Sequence, residues 1–348
     1  MPADEAPVAR RRRSASIWDV ARVAGVSHQT VSRVINGRAR VSDTTRAKVL
    51  HAIAELGYRP NRLAQALAGG PVRSVTVLTS DTALYGAAAT LRGMEEAARA
   101  AGFSLGVSVL EPDSAVPDVV ARLSRPGEAV MVIAYDSAGV RALRALPPDV
   151  AVTAAVERPP EATGDRGWQV WLDDRDAAGQ ATRYLLSLGH RTVHYLAIPS
   201  STSAVAQRTR GWADALDGAG RPAPEPLQGG WTPRSGYLAA RALLADPSVT
   251  AVLCGNDDLA LGVMRAAREL GRHVPGDLSV VGFDDTPASA YLNPSLTTVR
   301  LDFEGLGRAC FGLLHKHLEP DAAPPVAEWA EPALIVREST GPAPRPSG

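Results

Sequence analysis

The hydrophobic pattern near the amino terminus predicts three short helices. Apolar residues first recur at the i, i+3, i+4, i+7 spacing of one helix face, at Ile17, Val20, Ala21 and Ala24. Gly25 then permits a tight turn, and further amphipathic helices are predicted at 28–36, capped by Ser27, and at 44–56, ending at Gly57. Two short helices joined by a glycine-containing turn are typical of a helix-turn-helix unit. The expected core consists of Trp18, Val20, Val31, Val34, Val49 and Ile53.

The polar face of the second predicted helix carries side chains suited to reading DNA. His28, Gln29, Ser32 and Arg33 point away from its apolar stripe. Glutamine and arginine pair in bidentate fashion with adenine and guanine edges. Residues early in a recognition helix meet base edges in this layout. A solvated helix face explains any one of these residues, but the complete three-helix unit favours contact with DNA.

Longer motifs in this region resemble a known family. The runs are Asp19-Val20-Ala21, Ala24-Gly25-Val26-Ser27, Thr30-Val31-Ser32-Arg33, Val34-Ile35-Asn36 and Gly57-Tyr58-Arg59-Pro60-Asn61-Arg62-Leu63-Ala64. Together they resemble the DNA-binding headpiece of the LacI/GalR family of transcriptional regulators. The resemblance implies operator contacts from the turn, the second helix and the segment after the third helix, at Ser27, His28, Gln29, Thr30, Ser32, Arg33, Asn36 and Asn61.

The next segment, 61–71, connects the headpiece to the rest of the chain. Its first eight residues are good helix formers, but so short a helix is marginal alone in water, and Gly69-Gly70-Pro71 stops it. The resemblance implies a hinge that folds when two copies meet at the operator centre. Leu67 is then the apolar wedge that enters the minor groove and kinks the duplex. An ordinary flexible linker is the alternative.

From residue 72 the pattern changes to apolar strands that alternate with helices. Strands are predicted at 74–78, 103–110, 128–135, 150–156, 170–172, 192–198, 250–254, 278–283 and 296–301. Helices are predicted at 90–101, 175–188, 205–217, 233–245, 258–270 and 303–318. Such alternation implies parallel sheets covered on both faces. We therefore expect an α/β body of two lobes with a cleft between them.

This body also resembles the periplasmic-binding-protein-like body of the same family. The motifs that carry the resemblance lie at 187–190, 255–262 and 278–285. The expected organisation is a basic leader at 1–13, a helix-turn-helix domain at 14–62, a hinge at 63–71, a sugar-effector-binding and dimerisation domain at 72–340, and a tail at 341–348. The tail lacks a heptad pattern, so no tetramerisation helix is expected there.

Polar residues follow the predicted strands of the body, and ligands lie at the carboxyl ends of strands in such folds. An amide, a carboxylate and a guanidinium there offer fixed partners for sugar hydroxyls, and aromatic rings offer an apolar wall. The resemblance implies effector contacts at Leu84, Leu172, Arg208, Trp231, Asn256, Asp284 and Phe303, with Leu306 at the rim. Asp257 and Asp285 are expected only to cap the helices that follow them.

The sequence departs from the family pattern near this site. Ala204 and Ala206 stand where polar or basic residues occur in the family, and Leu301 precedes Asp302. Glu157 is the nearest candidate for an acidic partner after the fourth strand. A galactoside is favoured because Trp231 accompanies Arg208, while another glycoside or a sugar phosphate stays open.

Charge is unevenly spread along a chain whose formal net charge is zero. Residues 1–62 hold 12 basic and 5 acidic residues, whereas the remainder holds 25 and 32. The basic amino-terminal part is suited to binding DNA phosphates, whereas the acidic remainder is repelled by them. The run 10–13 is either a phosphate-contacting arm or a disordered leader. The two cysteines lack the spacing of a metal site or redox pair, which is typical of buried thiols in a reducing compartment.

Other classes of protein fit the sequence less well. Adjacent carboxylates at 173–174 and 284–285 suggest a hydrolytic or metal-binding site. However, no nucleophile elbow, phosphate loop or metal-spaced histidines accompany them. No enzyme activity, metal or cofactor is expected. A periplasmic sugar-binding protein would carry a signal peptide and no headpiece, and an architectural DNA protein would lack the pocket.

The sequence therefore predicts a repressor that binds a pseudo-palindromic operator as a homodimer and is released by a small sugar. A regulator that needs its ligand to bind DNA is the alternative within the family. No apolar run is long enough to span a membrane. We expect a cytoplasmic protein that joins the nucleoid when bound to its operator.

Overall fold

The computed structural model describes residues 15–35, 41–58, 73–110, 129–157, 168–199, 207–321 and 329–345. The chain forms two compact units, Met1–Val72 and Arg73–Gly348. Several predictions fall outside the described residues, namely those for the leader, the hinge, Asn36, Asn61, Leu67, Ala204 and Ala206.

The first unit contains three helices, α1 (Ile17–Ala24), α2 (His28–Ile35) and α3 (Asp43–Leu56). Ser16 and Asp19 form a capping box at the start of α1, where the Asp19 amide donates to Ser16 Oγ at 3.3 Å and the Ser16 amide donates to Asp19 Oδ2 at 3.0 Å. Gly25 ends α1 in the left-handed region, at φ 66°, which a residue with a Cβ rarely adopts. This turn sends the chain into α2.

The core of this unit differs from its prediction at Trp18. Val20, Val31, Val49 and Ala52 are buried between the three helices. Trp18, predicted as a core residue, is 62% exposed. It lies one position away from the buried stripe, so helical geometry turns its indole outward.

The second unit begins with a five-stranded lobe. Its strands are β1 (Ser74–Thr79), β2 (Ser104–Val109), β3 (Ala129–Ala134), β4 (Ala151–Val156) and β5 (Gln169–Val170). They lie in the order β2-β1-β3-β4-β5, and every pair is parallel. The helices α4 (Tyr85–Ala100) and α5 (Ser137–Ala145) follow β1 and β3.

The second lobe is built on a six-stranded sheet. Its strands are β6 (His194–Ala197), β7 (Leu227–Gln228), β8 (Ala251–Cys254), β9 (Ser279–Asp284), β10 (Thr297–Arg300) and β11 (Ala333–Ile335). The order is β11-β10-β9-β8-β6-β7. The helices of this lobe are α6 (Asp174–Ser187), α7 (Gln207–Gly218), α8 (Pro233–Leu243) and α9 (Asp257–Glu269).

The helix α10 (Phe303–Leu318) returns to the first lobe and packs along α4. The two helices approach so closely that a Cβ at Gly93 would lie 2.0 Å from the Glu304 carbonyl oxygen, and a Cβ at Gly307 would lie 2.1 Å from the Thr90 carbonyl oxygen. An ion pair between Arg92 and Glu304, 2.9 Å long, spans the same contact. The start of α10 is thereby held beside the cleft.

The predicted fold class is confirmed, with local differences. The helix α4 begins at Tyr85, five residues before its predicted start, and β7 was not predicted. The strand β11 was not predicted either, and it runs antiparallel to β10. A strand of three residues has too short a pattern to be recognised, since its identity depends on a partner some 35 residues away.

Candidate functional site

The first candidate site is the outer surface of α2 in the first unit. Gln29 and Arg33 are exposed on one side of this helix. Ser27 caps it, because the Thr30 amide donates to Ser27 Oγ at 3.1 Å and the two hydroxyls are 2.9 Å apart. Ser27 and Thr30 therefore have a structural role besides the DNA contact predicted for them.

The imidazole of His28, at the first position of α2, is in contact with the indole of Trp18, which the sequence had predicted as a core residue. The Trp18 indole lies against it, with ring centroids 4.1 Å apart and the ring planes tilted by 34°. Aromatic pairs at this distance restrict each other's orientation. The exposed indole thus belongs to the same surface as Gln29 and Arg33.

The second candidate site is a cleft between the two lobes of the second unit. The empty space in and around its mouth is about 1060 Å³. The structure brings every predicted effector residue to its wall: Leu84, Leu172, Arg208, Trp231, Asn256, Asp284, Phe303 and the rim residue Leu306. Their contact with an effector remains a prediction.

One side of the cleft is apolar and comes from the first lobe. The Phe303 ring, at the start of α10, meets Tyr85 edge-on at a centroid distance of 6.1 Å and lies 6.0 Å from the Tyr135 ring. The Tyr135 hydroxyl is anchored 2.8 Å from Thr90 Oγ1. These rings form a fixed wall against which the face of a sugar ring can pack.

The opposite side is polar and is centred on Arg208. This buried guanidinium donates from Nε to Asp174 Oδ2 at 3.1 Å and from Nη1 to the Gly255 carbonyl. Its Nη1 also lies 3.6 Å from Asp284 Oδ1. The Phe283 ring supports it from below, 4.3 Å from the guanidinium carbon. Arg208 therefore bridges two carboxylates and has a single permitted orientation.

Asp284 lies at the end of β9 in an unusual backbone conformation, with φ 104°. Its carboxylate is buried, and Oδ1 has no hydrogen-bond partner among the described residues. Burial raises the pKa of Asp284 well above its usual range, although the nearby Arg208 charge works in the opposite direction. Burial likewise raises the pKa of Asp174, against the lowering effect of Arg208. Asp284 lines the cleft, and its Oδ1 is an acceptor that makes no hydrogen bond within the described residues.

Asn256 is engaged with the protein on both sides of its amide. Its Oδ1 accepts from the Leu259 amide at 2.8 Å, which caps α9, and its Nδ2 donates to the Trp231 carbonyl at 3.1 Å. Asn256 thereby fixes the position of Trp231. The Nδ2 atom retains a second hydrogen, and Oδ1 retains a second lone pair, for a hydrogen bond to a ligand.

The prediction that Asp257 and Asp285 only cap helices is wrong. Asp257 accepts hydrogen bonds from the Thr286 amide, the Ser289 hydroxyl and the Thr298 hydroxyl, at distances between 2.5 and 2.8 Å. Asp285 pairs instead with two arginines, Arg300 and Arg337. Asp257, at the start of α9, and Asp285, in the loop that follows β9, therefore both hold that loop in place.

Several cleft residues were missed or undervalued at the sequence level. Asp81 and Asp136 follow β1 and β3, so the strand-end rule that identified Asn256 also applies to them. Glu157, named as the nearest acidic candidate, lines the cleft and accepts from the Gln207 amide at 2.8 Å. Asp174 contacts Arg208 across 34 residues of sequence, and nothing in a local pattern indicates that contact.

Within the described ranges, no group of three or more histidine, cysteine or acidic side chains is arranged to hold a metal ion. Among the helices of those same ranges, none is both long and apolar enough to cross a bilayer.

Two family models match the chain. Residues 16–61 match the model for bacterial regulatory proteins of the lacI family, and residues 182–340 match the model for a periplasmic binding protein-like domain. The lactose operon repressor of Escherichia coli K12 is 36% identical over 304 residues, covering 84% of this chain and 82% of the repressor.

Solved structures of similar proteins have the same fold. The lac repressor dimer bound to operator and the anti-inducer ONPF superposes with a TM-score of 0.76 at 32% identity, covering 94% of this chain and all of that one. The complex of the transcriptional regulator CelR with cellobiose gives a TM-score of 0.68 at 30% identity, covering 93% and 99%. Both likenesses include the headpiece and the two-lobed body.

Proposed function

Because this chain belongs to the LacI family of bacterial regulatory proteins, we propose that it is a transcriptional repressor that binds an operator and is released by a small sugar. The observation that carries the proposal is the cleft, in which polar groups and an aromatic wall from two lobes converge within a chain that also has an exposed helix-turn-helix surface. A sensor and a DNA reader in one chain are what ligand-controlled repression requires.

We propose that α2 enters the major groove of each half-site. Gln29 and Arg33 are exposed there and have the hydrogen-bonding groups that read adenine and guanine edges. His28 adds a third reading group at the start of the helix. Leu67, in the proposed hinge, then wedges into the minor groove at the operator centre.

The proposed assembly is a homodimer, since a pseudo-palindromic operator matches a twofold protein. The similar lac repressor is a dimer on its operator. In this chain, α8 and α9 pack side by side and leave Leu238 and Leu261 exposed, at 52% and 40%. Exposed apolar side chains on neighbouring helices favour contact with another protein surface.

The proposed effector is a sugar whose ring packs against Phe303 and Trp231 and whose hydroxyls meet Arg208 and Asp284. We favour a galactoside. The effector changes the spacing of the lobes and so disfavours the folded hinges, with a coupling of about 1–3 kcal/mol, as is usual for allostery. The cleft is proposed to bind the sugar without transforming it.

The test combines operator selection with mobility shifts. The full chain is used to select binding sites from random duplexes, and the selected operator is titrated with and without lactose, other galactosides and cellobiose. Release by a sugar supports the proposal, whereas tighter operator binding identifies the ligand as a corepressor. If the chain selects no specific sequence, the proposal is contradicted. The Gln29→Ala variant tests whether α2 reads the operator.

A further inference from the structure

The cleft is strongly acidic. Its described lining includes six carboxyl side chains, at Asp81, Asp136, Glu157, Asp174, Asp258 and Asp284. Arg208 is the only cation among those described lining residues. Burial raises the pKa of Asp174, Asp258 and Asp284, but even without these three, three carboxylates remain against one cation.

The single cation already has anionic partners within the protein. Arg208 pairs with Asp174 at 3.1 Å, donates to the Gly255 carbonyl and lies 3.6 Å from Asp284. An anionic ligand at Arg208 would have to approach both carboxylates as well. Like charges at such distances repel strongly in a partly buried site.

Three backbone amides beside the cleft, a kind of group that often binds anions, are also taken, although the first turn of α4 has no side-chain cap. Phosphates bind where free amides point out of the first turn of a helix. In this cleft, Asp81 Oδ1 accepts from the Leu84 amide at 2.9 Å, Asp136 Oδ1 accepts from the Gly139 amide at 2.8 Å, and Asn256 Oδ1 accepts from the Leu259 amide at 2.8 Å. Two of these three acceptors bring a negative charge of their own.

The carboxyl groups of the cleft offer a ligand hydrogen-bond acceptors. Asp284 Oδ1 accepts no hydrogen bond in the described part of the chain and lies 3.6 Å from Arg208 Nη1, so part of its acceptor capacity is unfilled. Hydroxyl groups provide such donors, whereas a phosphate or carboxylate provides additional acceptors.

We propose that the cleft takes uncharged, hydroxyl-rich ligands and rejects their phosphorylated or carboxylated forms. This inference rests on the proposed function, because it specifies the ligand of the same site. It closes the alternative of a sugar phosphate, which the sequence leaves open.

The test measures matched ligand pairs on the full chain by titration calorimetry and thermal unfolding. The pairs are galactose with galactose 6-phosphate and glucose with glucose 6-phosphate, with lactose and cellobiose as further uncharged sugars. The inference expects an uncharged sugar to bind and its phosphate to bind at least about tenfold more weakly. A phosphate that binds as well as its uncharged partner overturns the inference.

Charge variants separate repulsion from a steric effect of the phosphate. Asp258→Lys, which reverses a charge on the cleft lining, should reduce the preference for the uncharged sugar by roughly tenfold. Asp217→Asn, at an exposed site on α7 away from the lining, should leave that preference unchanged. An unchanged preference in Asp258→Lys overturns the electrostatic inference.

Operator binding by the same sample distinguishes the two proposals. If no uncharged sugar binds but a specific operator does, the ligand class is wrong while the DNA-reading part of the proposed function stands. If the operator is not bound, the proposed function fails independently of the sugar titrations.

Discussion

The Trp18 indole and the His28 imidazole are in contact, with ring centroids 4.1 Å apart and ring planes tilted by 34°, on the exposed face of the helix-turn-helix unit. The contact joins α1 to the first residue of α2, and Trp18 remains 62% exposed while making it. A core residue at this position would have stabilised the fold, whereas a surface indole in contact with a neighbouring ring restricts its orientation. We therefore expect Trp18 to influence the DNA contact proposed for His28.

Trp18→Ala should weaken operator binding roughly two- to tenfold, which corresponds to an aromatic pair of about 0.5–1.5 kcal/mol. Base preference at the operator position read by His28 should also relax, because the imidazole is no longer held. Quantitative mobility shifts on the selected operator and its single-base variants measure both effects. The control is Leu50→Ala, which removes an exposed apolar side chain on a different helix, α3. It should change neither the operator affinity nor the base preference. Equal effects from the two variants would indicate a general loss of structure instead.

Asp284→Asn should stabilise the protein at neutral pH and weaken ligand binding. Because burial raises the pKa of Asp284, the carboxyl favours the native state while protonated, and that contribution is lost as the pH rises through the native pKa. The neutral amide avoids this loss. The melting temperature of the variant should exceed that of the wild type by roughly 2–4 °C at pH 7, for about 1 kcal/mol, and the gap should shrink as the pH falls towards 4.

Thermal unfolding between pH 4 and pH 8 tests the prediction for Asp284. Asp217→Asn, which removes an exposed carboxyl, is the control variant. A gap for Asp284→Asn that is constant with pH would contradict the assigned role of the buried charge.

Asp257→Ala should destabilise the second unit by roughly 3 kcal/mol. The substitution removes the acceptor for the Thr286 amide and for two hydroxyls, Ser289 and Thr298, and buried donors left without partners are costly. Chemical denaturation of the full chain gives the free energy of unfolding. Asp257→Asn should recover part of the loss, since its amide oxygen still accepts. If Asp257→Ala lost no more than half a kilocalorie, the loop after β9 would not depend on this residue.

The sequence allowed much of the fold to be predicted, and the reasons differ between elements. The helix α10 was predicted with its observed bounds because its apolar residues follow a long helical pattern, and in the structure Asp302 caps its start. The antiparallel strand β11 was missed because three residues have no recognisable pattern without their partner, β10. Trp18 was misassigned because an aromatic residue next to an apolar stripe is easily included in it.

The cleft could be predicted in part. Arg208, Asn256 and Asp284 were found because strand ends meet at one edge of a parallel sheet. The pairing of Arg208 with Asp174 could not be found, because it joins two helix starts that are distant in sequence and meet only through tertiary packing. The excess of carboxylates follows from several such meetings, so the charge of the cleft emerges only in three dimensions.

The contact between α4 and α10 gives a final prediction, for Gly93→Ala. A Cβ at this position would lie 2.0 Å from the Glu304 backbone oxygen, and neither helix backbone can yield without separating from the other. The substitution should therefore destabilise the protein by roughly 1–3 kcal/mol, despite the higher helix propensity of alanine. Gly218→Ala is the matched control, because a Cβ at the end of α7 meets nothing within 4 Å. Chemical denaturation gives the free energy of unfolding of both variants. Equal values would mean that α4 and α10 are not in close contact. Phe303, at the start of α10, would then lose its fixed place in the cleft wall.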